Sequence, residues 1–445
     1  MGSSKRNTKW ARRLRYGLVL KGMAVGAAAG VVVSLFRFAL QEAEPLRWAL
    51  LEYAKTSLPH ALLGGLLLAA AFLGTCLCLH YAPLAGGSGI PQLKGELIDE
   101  IEENWWKTLA AKILGGCLCI GAGLSLGREG PSIQIGAMVG KGMARLAGRG
   151  RREEKYLMTC GAGAGLACAF GAPLAGTVFV LEELLSTFSI EILLSTWMAS
   201  MIADFVAKVI FGLKPVFALR IEEVLPLKYY WMVLLLGVLL GALGVAYNKV
   251  TEWMQDLYAK IPNRYVRLVL PFLLVVPFAL FYPMALGSGH YLVDQSASDM
   301  FTVRALLVLL AVRFFFSIFS FASGAPGGIF LPLLVLGAVA SGAYAQVMTD
   351  CCGLMPIYIG TFVMMGMTGL FSAIVRSPLT GIILLTEMGG DYANFLALSL
   401  VAFTSYVVAD LLRGRPIYDQ LLDRMLAGSN PEKKKGPAAA KGRTS

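Results

Sequence analysis

The sequence predicts an all-α polytopic membrane protein built from two inverted-topology repeats, with broken helices meeting near the bilayer midplane. Three observations predict it: a composition unsuited to water, a succession of apolar segments with short polar breaks, and an internal repeat offset by about 200 residues. Hydrophobic types make up 57% of the 445 residues and charged types 15%, with a mean hydropathy of +0.66. A soluble protein carries about 25% charged residues. The net charge of +11 is confined to the ends. Residues 1–15 hold Lys5, Arg6, Lys9, Arg12, Arg13 and Arg15 and no acid. Residues 424–445 hold Arg424, Lys433, Lys434, Lys435, Lys441 and Arg443 against Glu432, so everything between the ends sums to zero. A nucleic-acid partner needs a basic face on a folded domain, and none is visible.

Lys and Arg near membrane ends are retained in the cytoplasm, which places both tails there and requires an even number of crossings. The expected organisation is a basic tail (1–15), a first membrane repeat (16–220), a second (221–423) and a basic tail (424–445), in a multi-pass protein of the plasma (inner) membrane. The basic loop from Arg145 to Arg152 is a further candidate for the cytoplasmic side. The apolar run 16–36 is longer than a signal-peptide core and lacks a small-x-small cleavage site, so an uncleaved helix is expected. Apolar segments follow at 16–40, 61–82, 108–126, 189–213, 231–247, 268–286, 305–321, 357–371 and 395–412. Several approach the ~20 residues that cross a hydrocarbon core of ~30 Å. Gly22, Gly26 and Gly30, then Gly136 and Gly140, then Gly237 and Gly241 are spaced four apart, a pattern that lets helix backbones approach closely. The eight cysteines fit no zinc spacing and the three histidines stand alone, so buried thiols are expected, with no metal and no cofactor.

The repeat rests on three ordered matches. Gly87-Ser88-Gly89 recurs as Gly287-Ser288-Gly289. Pro131 with Gly136-Ala137 recurs as Pro332 with Gly337-Ala338. Pro173-Leu174-Ala175-Gly176 followed by Glu182 recurs as Pro378-Leu379-Thr380-Gly381 followed by Glu387.

Three Gly- and Pro-containing breaks interrupt apolar sequence: Gly87-Ser88-Gly89-Ile90-Pro91, Gly127-Arg128-Glu129-Gly130-Pro131 and Gly327-Gly328-Ile329-Phe330-Leu331-Pro332. Each reads as a turn followed by Pro in a first helical turn, where the missing N–H costs nothing. A helix that starts at membrane depth aims unpaired N–H groups and about half a positive charge at what precedes it. Three such ends converging would bind an anion without a full positive charge to trap it.

These breaks resemble the signature motifs of the CLC family of chloride channels and chloride/proton antiporters, here GSGIP, GREGP and Gly328-Ile329-Phe330-Leu331-Pro332, with Tyr418 matching a family tyrosine after the last membrane helix. The resemblance spans about residues 80–420. It implies an inverted-repeat helical fold, usually a homodimer with one pathway per subunit. It further implies that Ser88, Tyr418 and the backbone N–H groups of Ile329 and Phe330 hold a dehydrated chloride, although Ser88 taken locally is equally an N-cap. Glu129 would be the gate: ionised, it stands where chloride would stand; protonated, it swings away carrying a proton. The plain alternative pairs it with Arg128. Glu183 matches the family's inner proton-transfer glutamate, while Glu182, whose repeat partner is Glu387, reads as scaffold. Passive channels of the family carry an apolar residue at the Glu183 position, so exchange of chloride for protons is expected. A passive chloride channel is the alternative, and a transporter of another anion stands third. About 25 residues after the Tyr418 segment leave no room for the paired nucleotide-binding modules of many eukaryotic relatives.

Gly123-Leu124-Ser125-Leu126-Gly127 also fits the G-x-S-x-G nucleophile pattern, which needs a strand-to-helix elbow and a base. The run reads as apolar and helical, and no His follows until His290, so no enzyme is expected. Lys112, Arg313 and Arg376 stand within apolar runs, where they either line an aqueous vestibule or are snorkelled or paired inside the protein.

Overall fold

The computed structural model describes residues 2–213, 216–217, 223–297, 301–390 and 392–429, with side chains from 17 to 427. The basic side chains of residues 5–15 and 433–443 lie outside the described residues, and with them the charge-based assignment of sides. The first half contains α1 (Gly2–Ala54), α2 (Leu58–Tyr81), α3 (Ile90–Leu97), α4 (Trp105–Gly121), α5 (Glu129–Leu146), α6 (Arg151–Phe170), α7 (Pro173–Phe179) and α8 (Ile190–Phe211). The second contains α9 (Tyr230–Ala259), α10 (Arg264–Phe281), α11 (His290–Ser296), α12 (Val303–Ala322), α13 (Phe330–Cys352), α14 (Ile359–Val375), α15 (Pro378–Gly389) and α16 (Phe395–Leu411). Helix for helix the two sets correspond in order and relative length. An amphipathic α17 (Ile417–Ser429) follows and crosses residue 423, the expected end of the second repeat.

The halves are tied by reciprocal contacts, which define an approximate two-fold axis. Glu182 accepts from Leu379 N (3.2 Å) and Thr380 N (2.7 Å) at the start of α15. Its repeat partner Glu387 accepts from Leu174 N (3.1 Å) and Ala175 N (2.8 Å) at the start of α7. Each carboxylate thus caps the other half's helix, satisfying N–H groups that have no intrahelical acceptor. Gly87 N donates to Gly324 O at 3.2 Å, and its mate Gly287 N donates to Gly123 O at 2.7 Å. At the axis, Gly127 N donates to Gly328 O (2.6 Å) and Gly328 N to Gly127 O (2.8 Å). This bridge is antiparallel, so α5 and α13, which begin two residues beyond it, leave the centre in opposite directions. The topology is therefore inverted, as the repeat predicts.

Three lone cations inside apolar sequence serve the backbone. Lys112 Nζ donates to Ala85 O (2.9 Å) and Gly87 O (2.7 Å). Arg313, its repeat mate, donates to Ala285 O (2.7 Å), Gly287 O (3.1 Å) and Ser288 O (2.7 Å). Arg376, in the left-handed region at φ 72°, donates to Tyr406 O (2.6 Å) and Gly414 O (2.7 Å). Of the two readings left open, neither water-lining nor ion pairing describes Lys112 and Arg313: they neutralise carbonyls freed where the helices break.

Among the described residues, eight helices are long and apolar enough to cross a bilayer. Their burial separates two roles. The apolar window of Leu58–Tyr81 is 11% buried and faces outward, whereas those of Phe330–Cys352 and Pro356–Val375 are 83% and 94% buried and form the core. The Gly spacings are packing seams, as expected. A Cβ at Gly26 would stand 2.7 Å from Ala199 Cα of α8, one at Gly140 2.7 Å from the Leu157 carbonyl carbon of α6, and one at Gly241 2.7 Å from Val408 Cβ of α16. One expectation fails: residues 108–126 do not form one helix. Helix α4 ends at Gly121, Gly123 takes φ 106°, and the G-x-S-x-G run lies in the break before α5. No elbow joins a strand to a helix there. All eight cysteines are free, with Cys351 and Cys352 exposed.

Because Gly26 touches backbone, which cannot give way, Gly26→Val should destabilise the protein by ~1–3 kcal/mol or more. A thermal midpoint in detergent equal to that of the parent protein would contradict this packing.

Candidate functional site

Three helix starts converge where the two halves meet. The Gly87-Ser88-Gly89 turn needs the left-handed region twice, at φ 63° for Gly87 and 94° for Gly89. Gly89 is the residue that precedes α3 as its cap, and no side chain caps this helix. The N-cap reading of Ser88 is therefore wrong: its hydroxyl is buried and has no hydrogen-bond partner among the described residues. Close approach also requires Gly130, where a Cβ would stand 2.5 Å from Ser88 Oγ and 2.8 Å from Ser88 O. Helix α3 is held at its other end by α5, since Lys141 pairs with Glu96 and donates to Glu103 O at 2.5 Å.

Glu129 opens α5 and is fully buried. One carboxylate oxygen accepts from Leu331 N, in the first turn of α13, at 3.3 Å. The other has no hydrogen-bond partner and lies 4.0 Å from Arg128 Nε, the limit of an ion pair. Glu129 therefore has both an ion-pair contact with Arg128 and a hydrogen bond from a helix start. An acidic group there is where helix-terminal N–H groups place an anion. Ile329 precedes α13 as its cap and Phe330 opens it, both buried. Neither N–H has an acceptor within the helix. The Phe330 ring fixes this corner against Phe170 (5.1 Å between centroids) and Phe371 (4.6 Å). Leu331, which the sequence did not single out, is the donor to Glu129.

Tyr418, in the first turn of α17, is fully buried, and its hydroxyl meets no other side chain closely enough for a well-formed hydrogen bond, Ser88 being its nearest polar neighbour. It faces Ser88, and the carboxylates of Glu129 and Glu183 both act on it electrostatically. Tyr418 is thus the residue on which Ser88 and both buried acids act. Above Glu129, a cavity of about 460 Å³ is lined by Arg37, Arg47, Arg128, Glu44, His290 and Leu331. Below Tyr418, Glu183 stands in a single π-helical turn, Val180–Leu184, an irregularity frequent at functional sites. One Glu183 oxygen accepts from Lys94 Nζ at 2.9 Å and the other from Ser377 Oγ at 2.8 Å. The same Lys94 Nζ donates to Asp419 Oδ1 at 2.7 Å. Lys94, Ser377 and Asp419 were not singled out in the sequence. Lys94 lies three residues past Pro91 on a predicted helix, but its partners stand 89 and 325 residues away.

Such an arrangement defines a class: a polytopic helical membrane protein whose broken helices meet at its centre beside buried hydroxyls and acids. The comparisons with known proteins agree. Residues 64–410 match the family model described as voltage gated chloride channel, and the chain belongs to this family, the CLC family. It is 36% identical over 378 residues to the H(+)/Cl(-) exchange transporter ClcA of Cronobacter sakazakii, covering 82% of this chain and 79% of that one. It is 34% identical over 424 residues to the ClcA of Vibrio parahaemolyticus, covering 92% and 90%. Its fold is similar to a slow cyanobacterial Cl-/H+ antiporter, with a TM-score of 0.87 and 29% identity over 92% of this chain and 98% of that one.

If Tyr418 donates to the bound anion, Tyr418→Phe removes a hydrogen bond to a charged partner, worth ~1.5–3 kcal/mol. Chloride affinity measured by calorimetry in detergent should fall by about tenfold or more; an unchanged Kd would remove Tyr418 from the site.

Proposed function

We propose that the protein is a secondary active chloride/proton antiporter. In this reading Glu129 is the gating and proton-carrying acid, Glu183 the proton-transfer acid on the opposite side, and Ser88, Tyr418 and the N–H groups of Ile329 and Phe330 the chloride ligands. The observation that carries it is the Glu129 carboxylate resting on the start of α13, bonded to Leu331 N. An ionised carboxylate there is a tethered anion in the anion's own position. The carboxylate occupies the start of α13 that an anion would otherwise approach, so an anion passing this point requires Glu129 to leave. Protonation removes its charge and most of its attraction to the helix end, and the side chain departs with its proton. Movement of the anion and movement of the proton thereby become one event.

Glu183 supplies the other end of the proton route. It is buried yet belongs, through Lys94, to a charged cluster that reaches water at Asp419, whose side chain is 49% exposed. The similarity to the ClcA exchange transporters supports exchange over passive conduction. Helix α17 and the basic C-terminal tail belong on the cytoplasmic side in this reading, so Glu183 faces the cytoplasm and the 460 Å³ cavity faces outward. The outward apolar surface of α2 faces lipid of the plasma membrane, and two copies assemble as a homodimer with one pathway each.

Purified protein in liposomes, given a chloride gradient and a potassium ionophore, should move protons opposite to chloride. Chloride flux without proton movement would instead make it a passive channel. Glu129→Gln should leave chloride flux largely independent of pH and uncoupled from protons; a steep, intact pH dependence would remove Glu129 from the gate. Glu183→Val should abolish proton pumping driven by chloride, and persistent pumping would exclude Glu183 from the proton route.

A further inference from the structure

Lys94 joins elements that carry three different parts of the site. It lies on α3, the helix that begins beside Ser88. Its ammonium bonds Glu183 on the π-helical turn (2.9 Å) and Asp419, the residue after Tyr418 (2.7 Å). Its side chain is 12% exposed and that of Glu183 7%. The groups that face Glu183 are Lys94, the Ser377 hydroxyl, Asp419 and the Tyr418 phenol. Those that face Lys94 are Glu183 and Asp419. Lys94 is thus the one cation among the described groups that act on Glu183.

We infer that Lys94 is a positioning residue for proton exchange, acting as the counter-ion that lets the buried Glu183 exist ionised and so alternate between its two protonation states. This rests on the proton-transfer role proposed for Glu183. A buried carboxylate without a partner neutralises rather than remains charged. A Glu183 held permanently neutral would keep its proton and pass none on, while the chloride ligands above it stay in place. Asp419 has a separate task. By holding the ammonium from the solvent side, it fixes where Lys94 points and ties the start of α17 to α3. Ser377 is a neutral donor and cannot substitute for the charge.

The test compares Lys94→Met, Lys94→Arg and Asp419→Asn in liposomes, reading chloride and proton fluxes separately at matched protein amounts. In Lys94→Met, proton flux should fall by about tenfold or more, because losing one partner of a buried ion pair shifts the other's protonation equilibrium by at least that factor. Chloride flux should change by less than about threefold, a difference below one kcal/mol. Lys94→Arg keeps the charge and should restore coupled proton flux. A structural role alone would lower both fluxes together and leave their ratio unchanged, which would overturn the inference, as would a coupled Lys94→Met. Should Lys94→Met not fold, Asp419→Asn decides: it leaves Lys94 facing only Glu183, and coupling should persist, whereas lost coupling would assign the control to Asp419. Adding Lys94→Met to Glu183→Val should cause no further loss of proton flux. A Glu183→Val protein that still pumps protons would instead end the role given to Glu183, whatever Lys94→Met does.

Discussion

Backbone that stops being helical inside a membrane must find partners for every N–H and C=O it exposes. That constraint shapes this protein at its centre. Gly127 and Gly328 meet it by exchanging hydrogen bonds with each other, and the pairing brings the starts of α5 and α13 side by side with their axes diverging. Glu129 and Leu331 are neighbours because of this bridge. A side chain at either glycine would push the strands apart, since a Cβ at Gly127 would reach 3.0 Å from Leu331 N and one at Gly328 3.1 Å from Gly130 N. The arrangement at the centre is thus a by-product of how the breaks satisfy themselves: carbonyls accept from the opposite turn's N–H groups or from cations, which leaves the first N–H groups of the helices to face the middle.

Lys112 and Arg313 belong to the same economy. Each binds the carbonyls of a Gly-Ser-Gly turn, so its charge is spent on dipoles. Near Ser88, Lys112 contributes a positive field damped by the two carbonyls between them, in place of a bare ammonium that would hold an anion too long. The excess of positive charge therefore remains at the chain's ends, and the interior balances. Arg37, Arg47 and Arg128 gather around the cavity beyond Glu129, together with Glu44.

Much of this was legible in the sequence. The three breaks, the repeat and the residues at their corners were visible because Gly and Pro leave marks where helices begin and backbones touch. Glu182 and Glu387 could be paired by position alone, though not as caps that cross between halves, since the crossing depends on the two-fold axis. Two buried helices were hard to see. Helices α5 and α6 contain Lys141, Gln134, Glu154 and many glycines, so their hydropathy is low, and they are buried among protein rather than lipid. The break at residues 122–128 was hidden for the opposite reason: apolar residues continue through it, and only the positive φ of Gly123 betrays it. Lys94 escaped because nothing local distinguishes a lysine that meets water from one that meets Glu183 and Asp419.

The exchange of caps between the halves has a consequence for biosynthesis. Helix α7 is complete in sequence long before Glu387, 213 residues beyond Leu174, leaves the ribosome. Until then its first N–H groups lack their acceptor, and Glu182 carries a carboxylate whose donors at the start of α15 do not yet exist. The amino-terminal half therefore waits in the membrane as an unfinished object, and the last helices to be made close both halves at once. Folding is governed by contacts between distant parts of the chain, a topology that slows assembly. Each half serves as the other's final folding step.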